Sequence, residues 1–258
     1  PLRDNSPMTA IAHLPPRLLP LGDGAWTVEF GDAIEPAIHG RVLGFCRALE
    51  TAAGSGRLPE VVEWVPAFRS VTVHFDPAAD ALALGERLAA LATDSGSLAA
   101  LGSRWRIPVC FDAECAPDLA EVAAARGLKP EEVVALLTGT VFSVYMLGFL
   151  PGFPYLGGLP PALEMPRLAN PRKAVPARSI AVAGRMCAAY PWESPGGWRL
   201  LGRTPVRLFD PADATRPALL APGDEVVWQA VDRGAYDDLE RRAAAGSFDK
   251  ETLKASAA

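Results

Sequence analysis

The sequence predicts an α+β N-terminal domain followed by a closed or nearly closed β-barrel, and three features carry that reading. The N-terminal part reads in the order ββαββα; the polar, small-residue stretch "LATDSGSLAALGSR" then interrupts it; and from Val141 to Gln229 short β-like pieces alternate with many Gly and Pro residues. The boundaries expected are 1–102 for the α+β domain, 103–231 for the barrel and 232–258 for a helical tail.

In "RLLPLGDGAWTVEFGD" a short strand, a Gly22-Asp23-Gly24 turn and a second strand make a hairpin. Trp26, Val28 and Phe30 share one face of it against Thr27 and Glu29. From Glu35 the apolar residues Ile38, Val42, Phe45, Cys46 and Leu49 recur at helical spacing despite Gly40 and Gly44, until "TAAGSGRLP" breaks the helix. "VVEWV" and "SVTVHFD" are two more strands, and Asp76-Pro77 starts a second helix through Leu82, Leu88 and Leu91. Two helices on one face of a mostly antiparallel sheet would bury these apolar sets together.

The second domain opens with the strand "WRIPVCF". Asp118-Leu119 begins a helix to about Arg126, and Pro130-Glu131-Glu132 the first turn of another that ends near Thr138. "VFSVYML", "SIAVAG", "MCAAYP", "WRLLG", "VRLFD" and "EVVWQAV" supply the barrel strands. From Asp232 the Ala, Glu, Arg and Leu density predicts a surface helix that frays.

"MLGFLPGFPYLGGLPP", Met146 to Pro161, does not fit a regular element. A spanning helix needs about 20 apolar residues, and this run is shorter and holds Pro151, Pro154, Pro160 and Pro161. Each proline would cost a helix interior about 3 kcal/mol, and Pro151 and Pro154 would remove ladder bonds from a central strand. An ordered, non-helical loop is expected, either lying over a core or forming a ligand wall.

Composition removes several classes. With 50% apolar and 21% charged residues the 258-residue chain reads as globular, and its formal charge of -5 without a basic run speaks against a nucleic-acid partner. No membrane segment is expected, and "PLRDNSPMTAIAHLPPRLL" lacks the apolar core of an export signal, which predicts a cytoplasmic protein. Cys46, Cys110, Cys115 and Cys187 include one C-x4-C pair with no second pair to complete a zinc site, so buried reduced thiols and no metal are expected. His13, His39 and His74 all fall in the first domain, which excludes a Ser-His-Asp triad, a Cys-His pair or a histidine metal site built from the barrel alone. Neither a G-x-x-x-x-G-K-[ST] loop nor a G-x-G-x-x-G turn between strand and helix occurs, so ATP is not expected to bind this chain by itself.

A second unusual segment, Asn170 to Pro211, mixes Arg172, Arg178, Arg185, Arg199, Arg203 and Arg207 with Tyr190, Trp192 and Trp198. Pro195-Gly196-Gly197 permits a tight turn directly before Trp198. The planar guanidinium suits carboxylate or phosphate capture. The segment is either a solvated rim or an anion site whose aromatics exclude water.

Taken together, "VYMLGFLPGFPYLGGLP", "PRKAVPARSIAVAG" and "YPWESPGGWRLLGRTPVRLFDP", with "PLGDGAWTVEFGD" and "SVTVHFDP", resemble the family called allophanate hydrolase subunit 1. That family includes the B subunit of the ATP-dependent 5-oxoprolinase and the sporulation-kinase inhibitor KipI. The resemblance implies a cyclophilin-like barrel and a partner, a second family subunit of the allophanate hydrolase subunit 2 or KipA kind, with a further subunit in oxoprolinases. It implies ATP use by the complex on a small carboxylated cyclic amide. On this likeness Phe149, Phe153, Tyr155 and Trp198 are expected as apolar walls, Tyr190 as a hydrogen-bonding wall, and Arg172 and Arg203 as anion ligands. It identifies no nucleophile and no general base. Lactam hydrolysis, inhibition of a histidine kinase, and a carboxyltransferase-like or allophanate hydrolase role stay open. The chain departs from the family pattern at Leu137, commonly His; at Arg178, commonly Gly; and at Met186, Cys187 and Ala188, commonly Gln-Thr-Gly.

Overall fold

A computed structural model describes residues 15–98 and 102–255. His13, the start of the segment read for an export signal and the middle of the expected boundary stretch lie outside the described residues. The chain divides into two compact units, Pro1–Ser97 and Leu98–Ala258. No helix among the described residues is long and apolar enough to cross a membrane.

In the first unit β1 (Arg17–Pro20), β2 (Ala25–Glu29), α1 (Pro36–Gly54), β3 (Val61–Pro66), β4 (Ser70–Phe75) and α2 (Ala81–Asp94) follow the expected order. The strands pair antiparallel as β1-β2-β4-β3. Alternation sends Val28, Val71 and Val73 into the core with Phe45 and Leu49 of α1 and Leu88 of α2, all fully buried. Each such side chain contributes about 1.5–3 kcal/mol on burial. Asp80 caps α2, its carboxylate accepting the N–H groups of Leu82 and Ala83 at 3.1 and 3.0 Å. Glu29 is buried rather than solvated, because Arg17 and Arg69 each meet one of its oxygens.

The second unit is a closed barrel. Its strands are β5 (Arg104–Cys110), β6 (Val141–Leu147), β7 (Pro154–Gly157), β9 (Ser179–Ala183), β10 (Met186–Ala189), β12 (Arg199–Arg203) and β13 (Glu225–Val231), closed in the order β10-β7-β6-β13-β5-β12-β9. β8 (Arg172–Val175) and β11 (Ser194–Gly196) form a separate two-stranded ribbon. β13 runs parallel to β5 and antiparallel to β6. Trp105, Ile107, Phe142, Val182, Leu201 and Trp228 fill the interior, joined by Val133 and Leu137 of α4 (Pro130–Thr138) and Val122 of α3 (Leu119–Arg126).

Three expectations change. Pro154–Gly157 is a barrel strand, not loop; Pro154 is its first residue, where the missing N–H removes little from the ladder. "VRLFD" forms no strand among the described residues and makes only an isolated bridge, Phe209 to Ala218. The tail is docked rather than frayed: α5 (Arg233–Ala244) buries Tyr236 against Cys110 and Cys115, and Leu253 beyond it enters the barrel core.

Candidate functional site

The loop from β6 to β7 is held by its own backbone. Gly148 N–H donates to Phe153 O at 3.1 Å, Leu150 N–H to Gly148 O at 2.8 Å and Phe153 N–H to Leu150 O at 3.0 Å. Gly152 has φ +74°, and a Cβ there would stand 2.7 Å from Phe209 Cβ, so both conformation and space demand glycine. Phe149 also takes a positive φ, 70°, and leaves its ring 62% exposed.

Behind that rim the two motif segments meet. The Phe153 ring lies 5.0 Å from Tyr155, 5.0 Å from Tyr190 and 6.3 Å from Trp198, and 5.4 Å from Phe149. Most of these contacts are edge-to-face, the arrangement aromatic quadrupoles favour. A Cβ on Gly196 would fall 2.3 Å from the Tyr190 oxygen; the Pro-Gly-Gly turn is glycine-rich here because backbone lies against the phenol. Burial raises the Tyr190 phenol pKa against the pull of the Trp198 backbone hydrogen bond and the Arg167 and Arg172 charges. Burial likewise raises Tyr155, opposed by Arg167. Both phenols are therefore neutral at physiological pH.

The structure brings some of the seven expected residues together and not others. Phe153, Tyr190 and Trp198 are buried and packed on one another with Val175 and Leu200, so they form a floor and not free walls; Phe149 and the half-buried Tyr155 remain accessible. The two arginines do not converge. Arg172 donates to the buried Asp118 carboxylate at 2.6 Å and to Trp198 O at 3.4 Å. Arg203 lies five residues past Trp198, roughly 16 Å away at strand rise, where its Nε donates to Ala177 O at 3.0 Å. The cation that does accompany the aromatics is Arg167, exposed, with its guanidinium carbon 5.8 Å from the Trp198 ring centroid and no ion pair among the described residues. It precedes the arginine-rich segment, and nothing in local spacing singles it out. Ser194, 7% exposed, has no hydrogen-bond partner for its hydroxyl among the described residues.

The departures from the family pattern divide as well. Leu137 and Cys187 are both fully buried in one apolar cluster, so their change of polarity falls in the barrel core rather than on a surface. Arg178 does occupy left-handed backbone, φ 69°. Its guanidinium donates to Pro205 O at 3.1 Å and to Glu240 of α5.

A cleft of about 520 Å³ opens beside that pair, lined by Arg178, Trp192, Arg207, Phe209, Asp210 and Glu240 among others. None of the seven residues expected at the site lines it.

The thiols are inert by environment. Burial pushes Cys46, Cys115 and Cys187 up to about 12 from an ordinary value of 9.0. An unfolded chain ionises them from about pH 9 and the folded chain only near 12, so their linkage leaves stability unchanged below pH 9 and erodes it as pH rises from 9 towards 12. At neutral pH a thiol reagent should label none of these three in the folded protein and all of them after denaturation. Prompt labelling of the folded chain would contradict their burial.

The family described as "Carboxyltransferase domain, subdomain C and D" matches residues 16–220. The chain is 37% identical over 231 residues to the B subunit of 5-oxoprolinase from Bacillus subtilis (strain 168), covering 84% of this chain and 93% of that protein. It is 44% identical over 170 residues to the protein of the same name from Escherichia coli O157:H7, covering 66% of this chain and 78% of the relative. The crystal structure of TTHA0988 superposes with a TM-score of 0.69 at 36% identity, covering 80% of this chain; this chain spans 40% of that longer one.

Proposed function

Since the chain belongs to the family of carboxyltransferase domains, subdomain C and D, we propose that it is the B subunit of an ATP-dependent 5-oxoprolinase, which opens 5-oxo-L-proline to L-glutamate in the cytoplasm with a partner subunit. The observation that carries this reading is likeness along 93% of the length of a protein bearing that name. The kinase-inhibitor, allophanate hydrolase and carboxyltransferase-like alternatives are not favoured, because the curated relatives found are 5-oxoprolinase subunits.

A lactam carbonyl is a poor electrophile. In the complex ATP would supply the phosphoryl group that activates the amide oxygen, and its hydrolysis to ADP and phosphate would drive the net addition of water across the C–N bond, with hydroxyl going to carbon and the proton to nitrogen. This chain's share is to bind and orient. Phe149 and Tyr155 present an apolar edge beside Arg167, while Phe153, Tyr190 and Trp198 hold that edge rigid from within. Arg167 is the cation placed to meet the substrate carboxylate. Arg172 serves stability rather than substrate, by tying the ribbon strand β8 to Asp118.

Purified with its partner subunit, the complex should consume ATP only when 5-oxoproline is present. Arg167→Ala should raise KM about tenfold, as expected for a lost charge-assisted bond. ATP consumption indifferent to 5-oxoproline, or none at all, would overturn the assignment.

A further inference from the structure

We propose that the cleft beside α5 is a second ligand site, for a small organic monocarboxylate with a flat or cyclic apolar body. Arg207 is its anion partner and the Trp192–Phe209 corner its apolar wall. Its volume, about 520 Å³, lies within the range of roughly 300–1,000 Å³ typical of small-molecule sites. Trp192 and Phe209 stand 6.2 Å apart at 62°, two rings that make a corner, with Pro191 and Pro211 beside them as stiff walls. Trp192 is 42% exposed, so a large part of its indole is left uncovered by the described residues.

Charge narrows the class. Arg172, Arg178, Arg199 and Arg203 are each engaged by a carboxylate or a backbone carbonyl of this chain. Arg207 is exposed and makes no hydrogen bond or ion pair among the described residues, yet it lines this cleft and also an adjoining one of about 440 Å³. Glu240 neutralises Arg178, and Asp210 spends one oxygen on the Ala212 N–H at 3.0 Å. The four charges sum to zero, yet Arg207 alone among them has no hydrogen bond or ion pair among the described residues, and the two carboxylates would repel a dianion more strongly than a monoanion. A single negative charge fits this balance; a phosphate dianion does not.

The strained backbone supports the same reading. Holding a non-glycine residue at φ 69° is unfavourable because its Cβ crowds the backbone carbonyl, and what it secures is the bond from Arg178 to Glu240, which fixes α5 as one wall of the cleft. Strain kept at a concave, aromatic-lined surface is a mark of a preorganised site.

The test titrates the full chain with phenylacetate, following heat and tryptophan fluorescence, with the neutral phenylacetamide as a variant-free control. Phenylacetate should bind in the millimolar range or tighter and perturb the fluorescence, and phenylacetamide should bind about tenfold more weakly. Arg207→Ala and Arg207→Gln should each cost about the same factor with an unchanged melting midpoint, Trp192→Ala should remove most of the fluorescence response, and Arg167→Ala should leave binding intact. Absence of binding, equal affinity for the amide, or affinity lost with Arg167 instead of Arg207 would overturn the proposal. So would inorganic phosphate binding more tightly than phenylacetate in an Arg207-dependent way.

Discussion

Asp224→Asn is expected to lower the unfolding free energy of the barrel unit by roughly 3–5 kcal/mol, enough to leave a domain of ordinary stability near its threshold. The carboxylate is buried, 2% exposed, and accepts three N–H groups: Ser103 at 2.7 Å on one oxygen, Trp105 Nε1 and Ala221 at 2.9 Å on the other. Its backbone joins in, since Val144 N–H donates to Asp224 O at 2.8 Å. One residue therefore ties the starts of β5 and β13, the parallel pair, to β6. Asparagine is nearly the same size but turns one acceptor into a donor, so an NH2 group faces an N–H across a hydrogen-bond distance whichever way the amide is flipped. Asp224→Ala should cost at least as much, leaving three donors without their acceptor in a dry interior. Chemical denaturation followed by indole fluorescence measures both. An asparagine variant as stable as the parent would mean that these donors reach water or another acceptor.

That aspartate shows where sequence reasoning reaches and where it stops. β6 and β13 are legible because apolar residues alternate or run together over the whole strand, and the ββαββα unit because periods of two and 3.6 change over cleanly. Pro154 hides a strand, since a proline penalty depends on whether the ladder needs that particular N–H, which only pairing decides. Tyr236 and Leu253 look like ordinary tail residues until the barrel end supplies their cavity. At the candidate site, the loop after β6 and the segment around Trp198 each stood out by composition, and their placement at one site was readable only from the family resemblance. Whether they enclose space was not, because a packed aromatic floor and an open aromatic wall use the same residues. Arg167, Asp118 and Asp224 each meet partners 31 to 121 positions away, as in Trp198 for the first and Ser103 for the last, even though Asp224 also accepts from nearby Ala221, and no local pattern records the distant ones.

Arg172→Ala separates the two readings of the arginine that sequence placed on a substrate. The structure pairs it with a carboxylate of its own chain: Asp118, whose side chain is 6% exposed, accepts from Arg172 at 2.6 Å and from the Leu200 N–H at 2.7 Å. Removing the guanidinium strands a buried negative charge, which should cost roughly 2–4 kcal/mol of stability, the lower part of the range for buried pairs because Arg172 itself is partly solvated. Asp118→Ala should cost roughly 3–5 kcal/mol, since it strands a partly buried cation and also orphans the Leu200 N–H. Combining Asp118→Leu with Arg172→Leu removes both charges together and should recover much of the loss, short of the roughly 1–3 kcal/mol still owed to the unpaired Leu200 N–H. A double-mutant cycle built on Asp118→Leu, Arg172→Leu and their combination would then show a coupling energy well above the scatter of independent sites, roughly 0.5 kcal/mol. In the same Arg172→Ala variant, KM for 5-oxoproline measured below the shifted melting point should stay near the parental value. A raised KM with parental stability would instead make Arg172 a ligand of the substrate, with Asp118 merely holding it in place between turnovers.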